Sequence, residues 1–160
     1  MKTRNIVILL NLILVMGYIN WSVAGKEEIL KNGKLVFLEL APVDPRSLMQ
    51  GDYMRLNYAI GRNTSLEKIP KRGFCIIKLD ARGVARRIRF QKEKTPLHPG
   101  EYLINYTKKN WSINLGAESY FFEEGQARRF EPAKFGAIRI SNGKSLLVGL
   151  YDKDFKLLGQ

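Results

Sequence analysis

The sequence predicts a mainly β protein: an N-terminal transmembrane helix followed by a single compact β-rich domain of short antiparallel strands. Three observations predict it. An apolar run of helix length stands near the start. The rest of the chain falls into short segments of period-two hydrophobicity. Turn residues separate those segments at close spacing, with no repeated helix between them. A chain of 160 residues is long enough for one domain with its own core plus an appendage. Residues 1–33 are assigned to an uncleaved signal anchor and stalk, and residues 34–160 to the outer domain.

The anchor is read from Ile6 to Val23, 18 residues without a charge. As a helix they cover about 27 Å, close to the thickness of a hydrocarbon core. Lys2 and Arg4 precede the run, and a basic start places the N-terminus in the cytoplasm. Tyr18 and Trp21 fall where an interfacial aromatic belt belongs. Helix-favouring residues continue from Lys26 to Lys31 and stop at Gly33. One helix is therefore expected to leave the membrane and enter the domain. The rival reading is a signal peptide, with Ser22-Val23-Ala24 as its small-residue cleavage site.

Lys34 to Ala41 is apolar on both faces and reads as a central strand. Glu39 within it needs a partner if buried, with Arg46 and Arg55 as candidates. Phe74 to Asp80 and Val84 to Phe90 flank Ala-Arg-Gly as a hairpin. Shorter strands fit Glu101 to Tyr106, Trp111 to Leu115 and Ser119 to Phe122. Gln126 to Pro132 is a helical turn or a loop. Phe135 to Ser141 and Ser145 to Tyr151 are joined around Asn142-Gly143, the strongest short-range hairpin signal in the chain. A turn at Asp152-Lys-Asp and a terminal strand over Phe155 to Leu158 complete the reading.

Between the first two strands lies the most distinctive stretch. Asp44 and Pro45 have the chemistry of an N-cap and first helical residue. Arg46, Ser47 and the residues up to Gln50 then form one helical turn, closed by Gly51. From Asp52 the period changes to two. Met54, Leu56, Tyr58 and Ile60 share one strand face, with Tyr53, Arg55, Asn57 and Ala59 on the other. The turn launches a core strand, with Leu56 and Tyr58 inward and Tyr53 pointing the opposite way.

Lys and Arg number 27 against 15 Asp and Glu, a formal net charge of +12. Such a balance suits nucleic acid, anionic lipid or an acidic partner. The targeting segment removes the domain from the cytoplasm, so nucleic acid is not expected. Cys75 is the one cysteine, which excludes an internal disulfide; in Phe-Cys-Ile-Ile it reads as a small buried hydrophobe. His98 is the one histidine and sits in a turn, so neither a metal nor another cofactor is expected. Basic residues concentrate at Arg82, Arg86, Arg87, Arg89, Lys92 and Lys94, with a second group at Arg128, Arg129 and Lys134. Arg86, Arg87 and Arg89 make a candidate patch for anionic lipid head groups or an acidic partner.

Gly51-Asp52-Tyr53-Met54-Arg55-Leu56-Asn57-Tyr58 has the form G-D-Y-x-x-L-x-Y, with Gly51, Asp52, Tyr53, Leu56 and Tyr58 as its fixed positions. In this the chain resembles the GDYXXLXY family of bacterial membrane-anchored proteins. Leu-Glu-Leu-Ala-Pro-Val-Asp-Pro-Arg-Ser-Leu-Met-Gln before the motif and Tyr120-Phe-Phe-Glu-Glu-Gly after it look like further family segments. The resemblance covers essentially the whole chain. It implies a single-pass protein of the bacterial inner membrane with its C-terminal domain in the periplasm, and no assigned reaction. A multi-pass membrane protein is the implied partner, because family members are often encoded beside one.

A distant likeness to the β domain of type I signal peptidases is carried by Met49-Gln50-Gly51-Asp52-Tyr53 and by Lys71-Arg72-Gly73-Phe74-Cys75-Ile76-Ile77. Its catalytic residues do not carry over. The nucleophilic serine would fall near Val43, and the general-base lysine near Val84-Ala85-Arg86-Arg87-Ile88. An arginine keeps its proton and cannot activate a serine. The expectation is a non-enzymatic, membrane-anchored envelope protein, an accessory or regulatory subunit of a membrane complex. The alternative is an atypical serine hydrolase using Ser47 with Lys71 or Lys78.

Overall fold

The computed structural model describes residues 3–41, 53–62, 69–109 and 112–159. Helix α1 runs from Thr3 to Asn32 without a break, a rod of about 45 Å at 1.5 Å per residue. Its apolar stretch is exposed on all sides, with Leu10, Leu14 and Trp21 all open. A helix that is hydrophobic all round belongs inside an apolar medium, and this one is long and apolar enough to cross a membrane.

Only the end of α1 joins the domain. Ile29 is buried, and the Gly33 amide donates to the Ile29 carbonyl at 2.9 Å. A β-carbon at Gly33 would lie 2.3 Å from that carbonyl oxygen and 3.2 Å from Arg139 and Ile140, so only glycine allows this approach. Arg139 Nη1 donates to the Gly33 carbonyl at 2.9 Å, tying the helix end to the sheet.

The domain is built from antiparallel strands, as the patterning predicts. They are β1 (Lys34–Glu39), β2 (Tyr53–Arg55), β3 (Arg72–Leu79), β4 (Ala85–Gln91), β5 (Glu101–Lys109), β6 (Ser112–Asn114), β7 (Ser119–Phe121), β8 (Phe135–Ser141) and β9 (Lys144–Tyr151). Three sheets result, with strand orders β1-β8-β9, β2-β7 and β4-β3-β5-β6. Inner faces of all three meet in one core that holds Val36, Leu38, Leu56, Cys75, Ile77, Ile104, Ile138 and Leu150.

Both expected hairpins form. In β3–β4 the Asp80 carboxylate accepts from the Arg82 and Val84 amides, each at 2.9 Å, and Gly83 takes φ +80°. Those amide bonds hold the Asp80 carboxyl below the usual carboxylate range. In β8–β9, Asn142 and Gly143 take φ +49° and +85°, the paired positive values of a tight hairpin turn. Ala127–Phe130 forms a single 3-10 turn.

Three expectations are corrected. Lys34 to Ala41 is not a central strand: β1 lies at the edge of its sheet, with Lys34 and Leu35 exposed. Its outer face looks apolar because Phe37 packs edge-on against Tyr151 and Phe155. The strand covered on both faces is β3, where Cys75, Ile76 and Ile77 are fully buried. Glu39 is half exposed and pairs with Arg86 at 3.5 Å, so burial never demands a partner for it. No strand spans 155–158; only an isolated bridge joins Tyr151 to Leu157. Asp152 accepts from the Asp154 and Lys156 amides, which turns the chain into an arch and stacks Phe155 on Phe135 at 4.6 Å.

Candidate functional site

Strand β2 and the residues after it carry the described part of the signature. Gly51 and Asp52 lie outside the described residues, as do Asp44, Pro45, Arg46 and Ser47. The period-two reading holds from Tyr53 onward. Met54, Leu56 and Tyr58 are buried, while Arg55 and Asn57 on the opposite face are exposed. The strand itself is shorter than the pattern, because Ala59–Gly61 winds into a 3-10 turn.

This short segment is clamped on two sides. On one, Met54 pairs with Tyr120 and Arg55 with Ser119, and the Leu56 amide donates to the Glu118 carbonyl at 2.7 Å. On the other, Tyr58 bridges Leu40 and the Ala41 amide donates to the Asn57 carbonyl at 2.7 Å. The Tyr58 hydroxyl donates to the Ala117 carbonyl, and burial, with Glu118 nearby, pushes its pKa well up. Its ring also lies over Gly136, where an added β-carbon would come within 3.0 Å. Leu56 and Tyr58 are thus the pins that join β1, β7 and β8.

Glu118 organises the facing loop. Its carboxylate accepts from the Leu115 and Gly116 amides. Burial nevertheless raises its pKa, and those amide bonds act against the rise.

Tyr53 does something else. It stands directly opposite Phe121 in the β2–β7 register, with ring centroids 5.8 Å apart and planes tilted by 39°. Phe121 is 74% exposed, more than any other large hydrophobic residue of the described β domain. Tyr53 is half-buried beside it. The pair forms an aromatic ledge on the two-stranded ribbon, outside the core. Sequence reading singled out Tyr53 but missed Phe121, although Tyr120 and Phe121 must face opposite ways in any strand.

The arginine patch is not one free surface. A bulge in β4 breaks the simple alternation: Arg87 stands opposite Ile77 and Arg89 opposite Ile76, so the two fall on opposite faces of the sheet and Arg89 shares its face with Arg86. Arg89 forms a two-pronged pair with Glu101 at 2.7 and 2.8 Å and also donates to the Pro96 carbonyl. The Arg89 bonds, aided by the His98 amide, hold the Glu101 carboxyl down at about 2. Arg87 Nη1 donates to the Ile60 and Arg62 carbonyls at 2.7 and 3.0 Å. Its guanidinium also stands 5.1 Å from the Phe90 ring centroid. Arg86 is the exposed member and spans Glu39 and Asp80.

Some of the residues weighed for chemistry lie among the described residues, while Ser47 does not. Cys75 is fully buried, and burial, opposed by the charge of Arg87, pushes its thiol up to about 12. That keeps it protonated and a poor nucleophile. Lys71 and Lys78, the hydrolase candidates beside Ser47, are exposed. Among the described residues no three His, Cys, Asp or Glu side chains gather into a metal-holding group.

Architecture and site together define a class: a small antiparallel β domain carried on an N-terminal helix of membrane-spanning length, with an aromatic ledge on its two-stranded ribbon. Within that class the chain belongs to the GDYXXLXY family, whose model matches residues 15–150. That match includes the last part of the apolar run and nearly all of the β domain. No curated protein and no solved structure matches the chain.

Proposed function

We propose that this chain is a non-enzymatic accessory or regulatory subunit of a membrane complex in the bacterial inner membrane. Its N-terminus is cytoplasmic, its β domain periplasmic, and its partner a multi-pass membrane protein. The observation that carries this reading is the Tyr53–Phe121 ledge. A signature tyrosine outside the buried core stands tilted beside the most exposed aromatic among the described residues of the β domain. Exposed aromatic pairs are favoured as anchors of protein interfaces, because they bring large area at little entropic cost. The single continuous helix supports the same reading, since it holds the ledge at a fixed place above the membrane. Lys2 and Arg4 before the apolar run support the orientation.

Extraction in mild detergent followed by co-purification tests the proposal. The full chain should stay in the membrane through a high-salt or carbonate wash and then bring down a multi-pass protein. Phe121→Ser should reduce that recovery at least tenfold while the domain stays folded. A chain that purifies alone, or a Phe121→Ser variant that retains its partner fully, overturns the proposal.

A further inference from the structure

Between the helix and the domain lies an open cleft of about 610 Å³, within the roughly 300–1,000 Å³ range of ligand clefts. Its helix wall is one face of α1, including Tyr18, Trp21 and Lys26; its domain wall includes Leu115, Lys144 and Ser145. Those domain residues lie at the end nearest the helix. Strand β1 begins where α1 ends, β8 runs back towards that end with Ile140 opposite Lys34, and the β8–β9 turn stands beside it.

Height and charge point to the occupant. The first charged residue after Arg4 is Lys26. The uncharged stretch between them spans about 30 Å as a helix, the thickness of a hydrocarbon core. Lys26 therefore stands at the level of lipid phosphates, with Trp21 about 7.5 Å below it at the interfacial layer and Tyr18 about 12 Å below it where the acyl chains begin. Among the described residues no carboxylate lines the cleft. Neither Lys26 nor Lys144 forms an ion pair among the described residues, whereas Lys31 nearby is paired with Glu27. Two cationic side chains without counter-charge, above two aromatic rings, match a phosphate that continues into acyl chain.

We propose that this cleft holds the head group of an anionic phospholipid, with Lys26 and Lys144 taking the phosphate charge, Trp21 flanking the glycerol and Tyr18 the start of the acyl chains. The inference rests on the anchored reading given above. It moves the lipid contact from the β4 arginines, which are engaged within the fold, to the junction of helix and domain.

The test uses the full chain in nanodiscs of phosphatidylcholine containing a quarter phosphatidylglycerol. After extraction in mild detergent, the lipid retained per chain is read by native mass spectrometry. Wild type should retain phosphatidylglycerol in preference to phosphatidylcholine. Lys26→Gln with Lys144→Gln should lower that retention about 30-fold, at roughly a factor of five per basic residue near an anionic surface. Lys26→Arg with Lys144→Arg should keep it, and Arg128→Gln with Arg129→Gln, which alters exposed arginines elsewhere, should also keep it. Unchanged unfolding midpoints in all variants establish that the fold is intact. Undiminished retention in the double glutamine variant overturns the proposal, as does equal loss in the Arg128/Arg129 variant, which would show loose surface attraction. A Gly25→Cys variant that cross-links to a partner helix, with lipid retention absent, also overturns it. The same spectrum checks the underlying reading, because an intact mass lacking the first 24 residues would show cleavage and remove the cleft altogether.

Discussion

The β3–β4 hairpin and the β2–β7 ribbon make opposite uses of their residues. The hairpin carries the arginines that a charge map would select for binding. Yet Arg89 is committed to Glu101, and Arg87 to two backbone carbonyls. The ribbon carries apolar and aromatic residues that composition would assign to packing, and one of its rings, Phe121, stands in solvent. A charged side chain is informative about function only when its charge is left unanswered. An aromatic is informative when it is left uncovered.

The sharpest way to break this comparison is to attack the inner face of the signature. Leu56→Ala should destabilise the domain by about 2–5 kcal/mol, through lost transfer energy and the cavity left behind. Chemical denaturation of the isolated variant reads this directly. A loss below about 1 kcal/mol would mean that the signature's core face is dispensable and the contrast with Tyr53 is false.

Next comes the hairpin. The Glu101 carboxyl is depressed in the folded protein to about 2, chiefly by Arg89, from an unfolded value near 4.5. A depressed acid contributes stability above its unfolded pKa and loses that contribution as pH falls through the folded one. Glu101→Gln should therefore lower the unfolding midpoint by a constant amount above about pH 5. The gap to wild type should close between about pH 4.5 and pH 2. A gap that stays open at pH 2 would show that packing, and not the ion pair, holds this corner.

The smallest effect on stability should come from the ledge. Phe121→Ser removes an exposed ring and should change the unfolding free energy by about 0.5 kcal/mol or less. Tyr53→Ala should cost about 1 kcal/mol, the worth of a half-buried ring in an aromatic pair. Partner recovery should fall in both. Loss of stability comparable to that of Leu56→Ala would make the ledge part of the core after all.

Local chemistry made part of this legible in advance. Asn142-Gly143 demands a positive-φ turn, and Ala81-Arg82-Gly83 with Asp80 before it builds its own cap; both hairpins follow without long-range information. The parity of Met54, Leu56 and Tyr58 gives the buried face. What the sequence hides is set by distant partners. The Arg89–Glu101 pair joins residues on strands that are not neighbours, since β3 lies between β4 and β5. In Ser119-Tyr120-Phe121-Phe122 aromatics occupy both parities, so pattern alone cannot say which ring faces out. The terminal strand expected over Phe155 to Leu158 gives way to an arch. The Asp152 carboxylate outcompetes strand pairing there by capping two amides in sequence.

The junction at Gly33 has a mechanical meaning. No slack separates α1 from β1, and both sides of the joint are pinned, by Ile29 in the core and by Arg139 on the carbonyl. The helix therefore acts as an axle keyed to the domain: turning it turns the ledge through the same angle. Each residue added between Gly25 and Ile29 would swing the ledge by about 100° and lift it by about 1.5 Å. Bearing as well as height is thus written into the length of the rod, and a partner in the same bilayer would meet the ledge at one compass point only.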